Sequence, residues 1–190
     1  MTGDEWAGAV PAQPLLCLHT GEDPAHSFAG QVDALGAISF AVRAVPSTDA
    51  QSVEAWVDEV ALAVTALGHD RVHLLATGAS SFGALVLAGR CPALITSLVL
   101  GDPEIEPEIP GYAELLAHVA VPTLVVAAAP DAHTEFGHAQ RIAGGIDNGL
   151  FVIIDGGKVP VHRECAASFN EWITAFTVIA EGLDAVASGR

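Results

Sequence analysis

Hydrophobic and polar positions along this chain follow two alternating patterns. Short, largely apolar runs recur from one end to the other: Leu15 to Leu18, Ile38 to Val42, Val72 to Leu75, Leu98 to Leu100, Thr123 to Val126 and Phe151 to Ile154. Each run is too short for a helix and lacks the in-out alternation of a strand with one wet face, so each reads as a strand buried on both faces. Between the second and third runs, Val53, Trp56, Val57, Val60, Val64 and Leu67 recur at helical spacing until Gly68 stops the pattern. Near the C-terminus Phe169, Trp172, Ile173 and Phe176 repeat the device, which predicts an inward stripe on a last helix and a frayed polar tail after Gly182. Strands alternating with helices predict an α/β protein: a doubly wound, mostly parallel sheet of about six strands flanked by helices. The 190 residues suffice for one core, giving a domain over residues 14–180 with an N-terminal extension at 1–13 and a C-terminal tail at 181–190.

Charge narrows the partners. Seven basic against twenty-three acidic residues give a formal net charge of -16, a field that repels phosphate backbones and anionic lipid headgroups. Neither nucleic acid nor a membrane is therefore expected as a partner, and a small-molecule or carrier-tethered substrate is. No apolar run approaches the roughly 20 residues of a membrane span, and the first residues show no signal-peptide pattern, so a cytoplasmic location is expected. Cys17, Cys91 and Cys165 have no paired spacing and read as buried thiols rather than disulfides or zinc ligands; no metal and no cofactor is expected. The stretch T-G-A-S-S-F-G at 77–83 echoes a dinucleotide loop, but Phe82 and Ala84 stand where the pyrophosphate needs glycines.

In a doubly wound sheet, ligands bind outside the carboxyl ends of the strands. Four of those ends are informative: L-H-T-G-E-D at 18–23, L-L-A-T-G-A-S-S-F-G at 74–83, A-A-P-D at 128–131, and D-G-G-K-V-P-V-H-R-E at 155–164. In order and content they resemble the α/β-hydrolase family, over a stretch from about Pro14 to Phe176. The resemblance implies an oxyanion-hole amide at the first end, a nucleophile elbow at the second, an aspartate at the third and a catalytic histidine at the fourth. Only about twenty residues separate Asp102 from the next strand, where the family inserts its lid, so a lidless, open site is expected.

The resemblance is degenerate at two of these places. Read without a gap, the family's small-x-nucleophile-x-small pattern puts Gly78 at the nucleophile position between Ala76 and Ser80. Reading Gly78-Ala79-Ser80 as G-x-S makes Ser80 the nucleophile, and reading 79–83 as A-x-S-x-G makes it Ser81. Glycine would relax the strained backbone of an elbow while removing the hydroxyl. Asp131 matches the family's acid, and Lys158, the only lysine, falls on the catalytic histidine with His162 at a secondary position. Lys158 facing Asp131 is expected to form an ion pair, which would keep the amine protonated and unfit as a base. Gly21 and Ala79 are the candidate oxyanion-hole amides, with Glu22 and Asp23 placing unfavourable negative charge beside them. His19 matches the family's His-Gly, where the histidine is structural more often than catalytic, and His26, His133 and His138 lie near strand ends as replacement bases or as surface and capping residues.

Three functions remain open on these residues. One is a triad-less protein that binds a small molecule or performs cyclase, lyase or isomerase chemistry with Asp131 and Lys158. Another is a serine esterase or thioesterase using Ser80 or Ser81 with Asp131 and His162. The third is an interaction protein without catalysis.

Overall fold

The computed structural model describes residues 12–20, 27–45, 50–105, 109–131 and 133–187. Six parallel strands form one sheet: β1 (Leu15–His19), β2 (Ile38–Ala41), β3 (Val72–Thr77), β4 (Ile95–Gly101), β5 (Thr123–Ala129) and β6 (Gly149–Asp155). Their spatial order is β2-β1-β3-β4-β5-β6, so the winding reverses direction between β1 and β3. Among the described residues seven α-helices connect and flank them: α1 (Ala29–Leu35), α2 (Ala50–Thr65), α3 (Ser81–Arg90), α4 (Tyr112–His118), α5 (Gly137–Gly144), α6 (Val161–Glu164) and α7 (Ala166–Ala187).

The inner strands β1, β3, β4 and β5 are buried on both faces, whereas the edge strands β2 and β6 are partly exposed, with Leu150 and Ile153 of β6 reaching the surface. Leu16 and Leu18 of β1 face the core built with α2, α3, α4 and α5, whereas Leu15 and Cys17 face the core built with α1, α6 and α7. Trp56 of α2 is fully buried against the first face and donates its indole N–H to the Arg43 carbonyl at 2.9 Å. Fully burying a side chain of that size stabilises the fold by upwards of about 2 kcal/mol. Gly83 lets α3 approach α2: a Cβ there would stand 3.2 Å from the Trp56 ring.

Two local expectations are corrected. Trp172 points outward at 45% exposure, while Phe169, Ile173 and Phe176 form the buried stripe of α7. Nor does the last helix fray after Gly182, because α7 runs on to Ala187. Its second half is tied down from outside. Glu181 accepts the amides of Ala12 and Gln13 at 2.9 and 2.8 Å and contacts His73 Nε2 at 3.1 Å, and Asp184 pairs with Arg71 at 2.5 Å. Among the described residues no helix is long and apolar enough to cross a membrane.

Candidate functional site at the strand ends

The reversal of winding places the ends of β1 and β3 side by side, the position at which open α/β sheets form their binding crevice. β3 is extended through Thr77 (φ -138°, ψ 154°), and the chain then turns sharply into a single 3-10 turn and α3. Gly78 carries the whole of that turn, with φ +54° in the left-handed region, while Ser80 (φ -70°) and Ser81 (φ -60°) are already helical. A side chain at 78 would cost strain, because a Cβ is disfavoured there.

The space in front of Gly78 belongs to a residue that the motif reading did not single out. A Cβ built on Gly78 would stand 3.8 Å from Cδ and Oε2 of Glu104, and the Glu104 amide donates to the Gly78 carbonyl at 3.1 Å. The available signal was position alone: Glu104 lies three residues past the end of β4, in D-P-E. Asp102 in the same segment has φ +41° and works as a staple. Its Oδ1 accepts the Ala128 amide of β5 at 2.9 Å and its Oδ2 accepts the Val161 amide of α6 at 2.6 Å, joining the ends of β4 and β5 to the start of that helix.

The two serines stand beside the turn. Ser80 is buried, and its Oγ lies 3.4 Å from Thr20 Oγ1 at the end of β1, a long hydroxyl contact at the crevice. Ser81 is fully buried and its Oγ has no hydrogen-bond partner among the described residues. No imidazole contacts either hydroxyl among those residues. Ala79 is exposed in the 3-10 turn, where N–H groups of a first turn have no intrahelical acceptor. Gly21, Glu22, Asp23 and His26 lie outside the described residues.

His162 is buried against Phe28. Its ring lies 5.0 Å from that of Phe28, and its carbonyl accepts Gln31 Nε2 at 2.8 Å. Burial pushes its pKa below the ordinary histidine value, helped by Arg163 and opposed by a backbone hydrogen bond with Ser27 and by Asp102, so the ring is held neutral. Its Nδ1 finds no partner among the described residues. His19 is likewise buried, with Nε2 3.1 Å from Ser39 Oγ on β2.

Asp131 and Lys158 are both exposed, and the ion pair expected between them does not form. Asp131 instead closes its own turn: Oδ1 accepts the His133 amide at 2.8 Å, and Thr134 Oγ1 donates to the Asp131 carbonyl at 3.0 Å. This is what an aspartate does where a local amide is nearer than any distant cation. Lys158 follows Gly156 (φ +68°) in the loop after β6, its amide donating to Cys165 Sγ at 3.3 Å. Its ammonium enters no ion pair among the described residues.

Two surface grooves lie elsewhere. One of about 520 Å³ runs between α1 and α7, and one of about 370 Å³ sits among α2, α3 and α4; neither is lined by Gly78, Ser80, Ser81, Asp131, Lys158 or His162.

No protein-family model matches this sequence, and no curated protein matches it. Solved structures do match its fold. A thermophilic esterase from Thermogutta terrifontis is similar with a TM-score of 0.69 at 14% identity, over 90% of this chain and 91% of that one. A proline iminopeptidase from Mycobacterium smegmatis is similar with a TM-score of 0.69 at 16% identity, over 91% of each chain. A meta-cleavage product hydrolase from Pseudomonas fluorescens is similar with a TM-score of 0.65 at 13% identity, over 87% of this chain and 90% of that one. The chain therefore has the α/β-hydrolase fold.

Proposed function

We propose that this chain is a triad-less protein of the α/β-hydrolase fold that binds a small or carrier-tethered molecule at the ends of β1, β3 and β4 and does not form an acyl-enzyme. One observation carries the reading: the left-handed residue between β3 and α3 is Gly78, which has no hydroxyl. In this fold the nucleophile sits in the strained position of that turn, exposed at the top of the sheet. Two further features agree with it. The Glu104 carboxylate occupies the space in front of Gly78, where it would oppose a developing oxyanion. The buried, neutral ring of His162 packs on Phe28, and among the described residues no imidazole is hydrogen-bonded to Ser80 or Ser81 as the activating base that nucleophilic catalysis needs. Chemistry open to such a site is proton transfer or charge stabilisation on a bound ligand, of the lyase, isomerase or cyclase kind, with Asp131 and Lys158 as exposed charged groups that do not pair with each other.

A fluorophosphonate probe tests the central point. The purified protein is expected to remain unlabelled under conditions that fully label an active serine esterase. Labelling that disappears in Ser80→Ala or in Ser81→Ala would establish a working nucleophile and end this reading.

A further inference from the structure

The groove among α2, α3 and α4 starts one helical turn from the strand-end site. Phe82, Val86 and Gly89 recur on one face of α3 and form one wall, while Ile109 and Leu115, on the chain that follows β4, form the other. Phe82 is four residues past Gly78, a rise of about 6–8 Å. Helical side chains lean toward the N-terminus of their helix, so the Phe82 end of the groove opens toward the Gly78 turn. Glu104 lies on the same connection as Ile109, and a Cβ at Gly78 would rest against its carboxylate at 3.8 Å, so the glycine leaves that side of the carboxylate uncovered. The backbone beneath it is pinned: the Glu104 amide donates to the Gly78 carbonyl at 3.1 Å, and Asp102 is stapled to β5 and α6. A carboxylate thus stands at the head of a largely apolar groove of about 370 Å³, a volume within the range of small-molecule sites.

That carboxylate enters no ion pair among the described residues. The segments that meet at the crevice, 18–27, 77–83 and 102–111, contain no lysine and no arginine. Arg90 stands at the far rim of the groove, but Glu54 pairs with it at 3.1 Å and Glu114 lies on the same rim, where His118 Nδ1 is 2.6 Å from the Glu114 carbonyl. An anionic ligand would therefore meet Glu104 without a balancing positive group, on a chain of net charge -16, whereas a cationic ligand finds an unpaired partner.

We propose that the molecule bound at the strand ends is a small organic amine, its protonated nitrogen on Glu104 in front of Gly78 and its apolar body in the groove from Phe82 to Gly89. The proposal deepens the reading of the strand ends as a binding site and rests on it. Two magnitudes follow. A hydrogen bond to a charged group is strong enough for a preference of at least about tenfold over a neutral isostere. Each methylene taken fully out of water tightens binding up to about fourfold, so four more methylenes in a half-open groove should give at least about tenfold.

Isothermal titration calorimetry of the full chain with butyl-, hexyl- and octylammonium, 1-hexanol and hexanoate tests both. One site is expected, with Kd falling at least about tenfold from butyl- to octylammonium, hexylammonium at least about tenfold tighter than 1-hexanol, and hexanoate not bound. Glu104→Gln, at an exposed position, should keep the wild-type circular dichroism and bring hexylammonium down to the level of 1-hexanol. Gly89→Leu addresses the tail. A Cβ there meets Leu115, Val119 and His118 only at 3.6–3.9 Å, so the longer side chain can fill the far end of the groove. It should abolish the gain from hexyl- to octylammonium and leave butylammonium unchanged. Binding of 1-hexanol or hexanoate as tight as that of hexylammonium overturns the proposal. So does an affinity indifferent to chain length or to Glu104→Gln, or many weak sites, the mark of a general acidic surface. The fluorophosphonate probe keeps the two readings apart. Labelling with the amine preference intact would fail the triad-less reading alone, and an unlabelled chain without that preference would fail this one alone.

Discussion

The left-handed backbone at Gly78 makes a quantitative demand on any residue placed there. A Cβ at φ +54° costs about 1–2 kcal/mol in an L-residue, and the reduced freedom of the unfolded chain returns about 0.4–1 kcal/mol. Packing adds nothing, since the nearest atoms to that Cβ are those of Glu104 at 3.8–3.9 Å, an ordinary contact. Gly78→Ala should therefore destabilise by about 1 kcal/mol, equivalent to a fall in Tm of roughly 2–4 °C for a chain of this size. Gly78→Asn, whose short polar side chain tolerates the left-handed region, should cost less. Gly149→Ala supplies the contrast, because its Cβ would stand 2.0 Å from the Ala143 carbonyl oxygen, a backbone atom unable to yield. Its loss should exceed that of Gly78→Ala several-fold. Urea unfolding followed by tryptophan fluorescence, with matched m-values, gives all three differences. If Gly78→Ala is neutral or stabilising, or if Gly78→Asn is the worse of the pair, the turn is not left-handed and Gly78 does not sit at its apex.

Two further expectations follow from buried polar groups. Burial lowers the His73 pKa despite its hydrogen bond to Glu181, so the unfolded chain takes up this proton at about pH 6.5 while the folded chain resists it until lower pH. Stability should fall as pH drops below about 6.5, and His73→Gln should flatten that part of the profile in urea titrations; an unchanged slope would refute the assignment. Asp102→Asn replaces one of two carboxylate oxygens, each accepting an amide from a different element, by an N–H donor, and should cost about 1–3 kcal/mol in the same assay, with a loss under about 0.5 kcal/mol counting against the staple.

The architecture was legible in the sequence because it is written in near neighbours. Apolar runs bounded by turns mark strands, i, i+3 and i+4 spacing marks helices, and their alternation is enough for a parallel sheet whose strand ends carry the site. All six runs lie in or against the six strands, and the stripe from Trp56 to Val64 is buried as its spacing predicts. What the sequence could not determine depends on residues far apart in the chain. Trp172 fits the inward pattern of α7 by spacing, yet Phe169, Ile173 and Phe176 already fill the core facing it. The helix continues past Gly182 because Glu181 and Asp184 meet His73 and Arg71, over a hundred positions away. Asp131 and Lys158 are matched by motif, but a nearby amide captures the carboxylate first, while Glu104, in no motif, is carried over Gly78 by the path of the chain after β4. Local periodicity decides which backbone forms; which side chains meet is decided by packing between elements, and that information exists only once the chain is folded.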